Sequence, residues 1–346
     1  MRKIILLLVL IEMLAMPVKA MDYTAPTVPE SGKQYLDAEP ESFGEGLLKV
    51  ISKAISALYP AVKQGAGVCV QLIGILLLVS LVRVWPGAVG RTVNLVSCLL
   101  IGAVLLGNTG TMINLGTQTV AELTDYGKLL FPVMAGAMAA QGAVSGSAAL
   151  FTGTVALNTV LGVLINSIVV PLIFVYIAMA LAGCATEDGM LEKGKKFIKW
   201  ILTWSLKILL YVFTGYLGIT GVVSGAADAA AVKAAKITIS GVVPLVGGIL
   251  SDASETILVT AGVMKSAVGV YGMLAFLAVW IGPFLQIGIQ YLMLKATSGI
   301  CDVFGNKSAN NLIRDFTSGM GVLLAATGTV CLLLLISTFC MMKGIG

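Results

Sequence analysis

The sequence predicts an all-α polytopic integral membrane protein, a helical bundle of about eight spans with one segment of re-entrant character. Three features lead there. Hydrophobic residues make up 58% of the 346 residues and charged residues only 11%, where a soluble domain carries roughly 25% charged. Mean hydropathy is +0.99. The apolar residues gather in runs near the roughly 20 that cross a bilayer, separated by segments that hold most of the charge. A soluble fold of this composition would expose large apolar patches and aggregate, whereas in a bilayer lipid is the solvent for that surface. The 40 glycines agree, because glycine lets membrane helices approach closely.

Residues 1–20 read as a secretory signal peptide. Arg2 and Lys3 form a basic start, 4–11 an apolar stretch, and Val18-Lys19-Ala20 a small-x-small cleavage site. Glu12 interrupts the apolar stretch, and an uncleaved anchor is the alternative. Cleavage would lower the net charge from +5 to +3. Residues 21–60 read as an extracytoplasmic arm and an amphipathic interfacial helix. The arm carries Asp22, Glu30, Asp37, Glu39, Glu41 and Glu45 against Lys33, and Pro26, Pro29 and Pro40 break regular structure, so it reads as short and mobile. Ser42 with Glu45 has capping-box spacing. Leu47, Leu48, Ile51, Ile55 and Leu58 share one helical face while Lys49 and Lys53 point away, which predicts a helix lying in the interface until Pro60.

Residues 61–346 form the membrane domain. Spans are predicted over 65–82, 92–107 and 129–144, with the polar stretch 108–128 between the last two. The third span is rich in small residues: Ala135, Ala139, Gly142 and Gly146. The apolar run 148–185 is too long for one span and is divided near Asn166, between Asn158 and Pro171. A basic segment with Lys193, Lys195, Lys196 and Lys199 precedes a sixth span over 200–223. A seventh covers 267–294, and an eighth covers 317–342 after the polar stretch 295–315. With residue 21 outside, the segments holding Arg83 and Arg91, the four lysines, and Lys295 to Arg314 all fall inside. The arm and the Glu122/Asp125 segment fall outside, as the positive-inside rule requires.

Catalytic motifs are missing from the sequence. It lacks a GxxxxGK[ST] phosphate loop, HExxH and GxSxG, so it reads as neither an ATPase nor any other enzyme. There are no histidines, which excludes a Ser-His-Asp triad and the commonest metal ligand. Cys69, Cys98, Cys184, Cys301, Cys331 and Cys340 form no CxxC pair and read as small buried hydrophobes, with no spacing for a disulfide framework or zinc site. No cofactor and no nucleic-acid partner is implied. Polar residues inside spans are the remaining candidates. Lys207 lies two turns from Trp200 and can snorkel to the interface. Gln286 and Gln290, at i and i+4, can bond a neighbouring helix or line a water path. Gln71 and Asn158 are further polar residues in spans. Gly142 with Gly146 and Gly221 with Gly225 are GxxxG pairs of ordinary helix packing, and Gly215 and Gly218 extend the second pair.

The segment 224–265 stands apart. Lys233 and Lys236 sit at i and i+3 in an alanine-rich helix. The apolar run 237–250 is too short to span and is broken by Gly241, Pro244, Gly247 and Gly248. Ser251 then starts a helix with Asp252 and Glu255 in its first turn, where the helix dipole favours acids. A re-entrant element on a water-filled cavity and a plain hairpin at the interface both fit.

Lys233-Ala234-Ala235-Lys236, then Val243-Pro244-Leu245-Val246-Gly247 and Ser251-Asp252-Ala253-Ser254-Glu255-Thr256, resemble the stage III sporulation protein AE family. The likeness runs from about residue 132 to the C-terminus and includes Pro171-Leu172-Ile173; the region before the first span is short for that family. The resemblance implies a subunit of a secretion-like complex of AA-to-AH proteins in the mother cell of an endospore-forming bacterium. That complex has a separate ATPase subunit and ring-forming subunits, and meets a forespore protein, Q, to form a channel. It implies multi-pass placement in the mother-cell membrane facing the forespore. Lys233, Lys236, Pro244, Gly247, Asp252 and Glu255 become candidate cavity or docking residues. A stand-alone secondary transporter and a scaffold that conducts nothing remain as alternatives.

Overall fold

The computed structural model describes residues 25–36, 42–84, 90–140, 144–186, 189–219, 267–302 and 307–343. The expectations for 1–20, for the loop at 85–89 and for 220–266 lie outside them. Every regular element among the described residues is helical. Five helical stretches are long and apolar enough to cross a membrane: Phe43–Arg83, Thr92–Ala137, Phe151–Thr186, Val268–Cys301 and Lys307–Met342.

The arm is not a free tail. After Pro29 a single turn, α1 (Glu30–Lys33), seats Val28, Tyr35 and Leu36 in the core. Helix α2 (Phe43–Ser56) follows, with Ser42 Oγ accepting from the Glu45 amide at 3.3 Å. The Glu45 carboxylate pairs with Lys49 at 2.5 Å. The buried face of α2 is Phe43, Leu47, Val50 and Ala54, which overlaps the predicted stripe at Leu47, with Ile51 packed at its edge, while Leu48 is 68% and Ile55 59% exposed. The helix has three sectors, one against the bundle, one apolar and outward (Leu48, Ile55), and one polar (Glu45, Lys49, Ser52, Ser56).

A turn at Ala57 and Leu58 leads to α3 (Tyr59–Val84), and α4 runs from Gly90 to Ala140. The predicted second and third spans, and the loop between them, are this one helix. In the polar stretch four threonine hydroxyls bond the helix itself, while the buried Thr109 hydroxyl has no partner among the described residues. Thr111, Thr117, Thr119 and Thr124 donate to carbonyls four residues back at 2.8 to 3.1 Å. At 51 residues α4 is about 77 Å long, well beyond a bilayer of roughly 40–45 Å.

The division predicted at Asn166 is also continuous. Helix α5 (Val144–Leu164) passes through a π turn, Ile165–Val169, into α6 (Val170–Thr186). The wider turn sits just before Pro171, which lacks an N–H and would crowd the carbonyl four residues back. Helix α7 (Gly189–Ile219) starts inside the predicted basic loop. Helices α8 (Ala267–Cys301) and α9 (Lys307–Lys343) form a hairpin that is the bundle's centre, with about two-thirds of each apolar window buried. Pro283 lies inside α8 and Pro132 inside α4.

Packing fixes the order of levels. Tyr126 meets Phe276 edge-on at 5.2 Å, and Asn108 meets Gln290, so α4 and α8 run antiparallel. A side chain at Gly116 would meet Leu323 Cδ1 at 2.8 Å, so α4 and α9 touch through a glycine notch. Tyr35 packs against Gly282 and Gly65 against Met293, so 30 residues of chain advance only 11 along α8, about 17 Å. Helix α2 alone is about 21 Å long, so the chain between these contacts does not run straight along α8. Cys98 and Cys184 are disulfide-bonded, with Cα atoms 5.9 Å apart, against the expectation that no cysteines pair. Arg83 bonds Asn94, and the Cys184 sulfur lies 3.4 Å from the Ser308 carbonyl. The α3–α4, α6–α7 and α8–α9 connections thus share one end, where Arg83, Lys195, Lys307 and Arg314 gather. Each of the two mergers removes one crossing, so an even number is lost and the basic segments keep their shared end.

Candidate functional site

Polar contacts between helices are the chemistry that the described residues bring together. Among the described residues no cluster of His, Cys, Asp or Glu could hold a metal ion. The candidate site is a charged junction where α6, α7 and α9 meet. Lys195 points inward from the first turns of α7 and is buried. Its ammonium pairs with Asp315 of α9 at 2.5 Å and with Glu192 at 2.6 Å, one turn back on its own helix. Tyr176 of α6 donates to the other Asp315 oxygen at 3.0 Å. Lys199 donates to Ser318 one turn further at 3.2 Å. Burial alone would lower the Lys195 pKa, but hydrogen bonds to Asp315 and Glu192 outweigh it and hold the ammonium above the usual lysine range. The bond from Lys195 holds the Glu192 carboxyl below its usual range. A lysine held charged in this way is no nucleophile or base. The junction fixes the register of three helices.

A second network closes the α8–α9 hairpin nearby. Arg314 donates to Asp302 at 2.7 Å and to Ser298 at 3.2 Å, and Ser298 donates to Asn310 at 2.8 Å. Asn310 donates in turn to Asp302. Deeper in the bundle, Asn108 of α4 donates to Gln290 of α8 at 3.1 Å, beside Gly65 of α3. Asn158 of α5 donates to the Thr124 carbonyl at 2.8 Å. Ser31 of the arm donates to Glu122, and Tyr126 donates to the Pro26 carbonyl at 3.2 Å.

The residues expected from sequence divide three ways. Gln290 is buried and bonded to a neighbouring helix, one of its two expected uses, while Gln286 is exposed and does not join it. Lys207 is half-buried on α7, with Trp204 exposed one turn and Trp200 two turns before it. Lys233, Lys236, Pro244, Gly247, Asp252 and Glu255 lie outside the described residues. Sequence reasoning missed Tyr176, Glu192, Lys195 and Asp315. Glu192 and Lys195 carried a signal in their i, i+3 spacing, but Asp315 lies 120 residues from Lys195 and only the fold brings it there.

The sequence matches the family profile described as stage III sporulation protein AE over residues 32–344. It is 21% identical over 225 residues to stage III sporulation protein AE of Bacillus subtilis (strain 168). That alignment covers 65% of this chain and 56% of the relative, so it spans about half of the relative's length. No solved structure matches. With nearly all of its helical bundle inside the profile match, the chain belongs to the stage III sporulation protein AE family.

Proposed function

We propose that this chain is a non-enzymatic membrane subunit of the complex that joins mother cell and forespore during endospore formation. The match to the family over 32–344 carries the reading. Five apolar helical stretches suit residence in a membrane, here the mother-cell membrane that faces the forespore. The basic connections gathered at one end suit a cytoplasmic face there. Its partners on this reading are the other A-series membrane proteins, a separate ATPase subunit, ring-forming subunits, and the forespore protein Q through the complex. The Lys195–Asp315 junction and the Arg314–Asp302 latch set helix register and give no group for chemistry, which favours assembly and passage over catalysis. Deleting the gene should arrest sporulation after engulfment begins, and a deletion strain that makes normal spores would overturn the reading.

A further inference from the structure

Helix α3 carries an exposed glutamine at mid-span. Residues 64–82, between Lys63 and Arg83, hold no charge and make about 28 Å of helix, close to the roughly 30 Å of hydrocarbon in a bilayer. Gln71 therefore lies about 12 Å along the axis from Lys63 and about 18 Å from Arg83, and its short side chain reaches neither end. It is exposed, and no described residue hydrogen-bonds it. Gly67, Gln71, Gly74, Leu78 and Leu81 follow at spacings of four, three, four and three, so they share one face. That face is turned away from the buried Ala61, Leu72, Leu76 and Val79. It is open, since a side chain built at Gly67 or Gly74 meets nothing within 4 Å, and Leu78 is 65% and Leu81 69% exposed.

Lipid would leave the carboxamide without a partner, and it gives no use to two glycines that weaken the helix. A second helix answers both, because glycines let backbones approach and glutamine bonds across the contact. We infer that this face of α3 packs against the same face of a second copy of the chain. Two copies in one membrane share orientation and depth, so Gln71 meets Gln71 across a two-fold axis. A carboxamide both donates and accepts, so each satisfies the other. A helix of another protein would need a polar side chain at that same depth. The alternating four and three spacing suits two parallel helices in a left-handed crossing. This pairing depends on residence in a membrane and not on the sporulation role.

Single cysteines test it in the full chain, oxidised with copper phenanthroline in native membranes, with the unaltered chain as the blank for its own cysteines. Leu78→Cys and Leu81→Cys are compared with Leu99→Cys and Leu100→Cys, exposed on α4, in variants that accumulate to the parent level. The α3 positions should give a product of twice the chain's mass at least about fivefold more abundantly than the α4 positions. Adding Gln71→Leu to Leu78→Cys should cut that product at least about threefold, whereas Gln71→Asn, which keeps the carboxamide, should retain most of it. Equal yields from the two helices would overturn the inference. So would α3 cysteines that join only a protein of different mass. A product that Gln71→Leu leaves unchanged would overturn the part given to the carboxamide pair.

Discussion

Replacing Asp315 by Asn tests the junction of α6, α7 and α9. The carboxylate accepts from Lys195 at 2.5 Å on one oxygen and from Tyr176 at 3.0 Å on the other. An amide has one acceptor oxygen and no charge, so either Lys195 or Tyr176 meets an N–H instead. Stripping one partner from a buried pair costs about 3–5 kcal/mol. Glu192 remains 2.6 Å from Lys195 and is half-exposed, so it keeps a weaker counter-charge in place. The expected loss is therefore about 2–4 kcal/mol, seen as a fall of roughly 3–6 °C in the apparent unfolding temperature of purified protein in detergent. A second variant separates charge from packing. Lys195→Met with Asp315→Leu removes both charges and should recover all but about 1 kcal/mol, the remainder being Tyr176 without its acceptor. The pH dependence has a definite sign. Lys195 is raised, so its contribution is present below the usual lysine range and fades as pH rises through the raised value. Glu192 is lowered, so its contribution is present above the usual carboxylate range and fades as pH falls through the lowered value. The penalty of Asp315→Asn should then be flat from about pH 5 to 9. A variant within about 0.5 kcal/mol of the parent, or a double variant no better than the single, would refute the reasoning.

Three further outcomes follow from other contacts. Gly282→Val places methyl groups where the Tyr35 ring sits and should release the arm, read as faster protease cleavage within residues 25–42 while the rest of the chain stays intact. Gln290→Leu leaves Asn108 with its amide unbonded between helices and should cost about 1–3 kcal/mol, whereas pairing it with Asn108→Leu should recover most of that loss in the same unfolding assay. Cys98 and Cys184, at the end read as cytoplasmic and so facing a reducing compartment, should after mild oxidation of purified protein hold two fragments together across a single cut introduced between them, migrating as one band without reductant and as two with it. Cys98→Ser should abolish that linkage.

Composition and periodicity alone settled the class. An 11% charged chain has too little polar surface for a soluble fold, and a bilayer leaves helix as the natural way to satisfy its backbone. The cap at Ser42 and the gathering of basic segments at one side were also legible, because capping is local and charge placement follows loop parity. Helix number was not. Residues 108–128 look like a loop by hydropathy, yet Thr111, Thr117, Thr119 and Thr124 bond their own helix, so these polar residues do not force a break. Asn166 and Pro171 look like a divide, and a π turn absorbs them. The arm looked mobile because its acids and prolines forbid regular structure. Its docking depends on two glycines, Gly32 against Val279 and Gly282 against Tyr35, whose notches exist only once the helices are side by side. The junction of Lys195 with Tyr176 and Asp315 was invisible for the same reason. A contact across 120 residues has no signature in local spacing, and only the tertiary fold decides which charge a buried lysine meets.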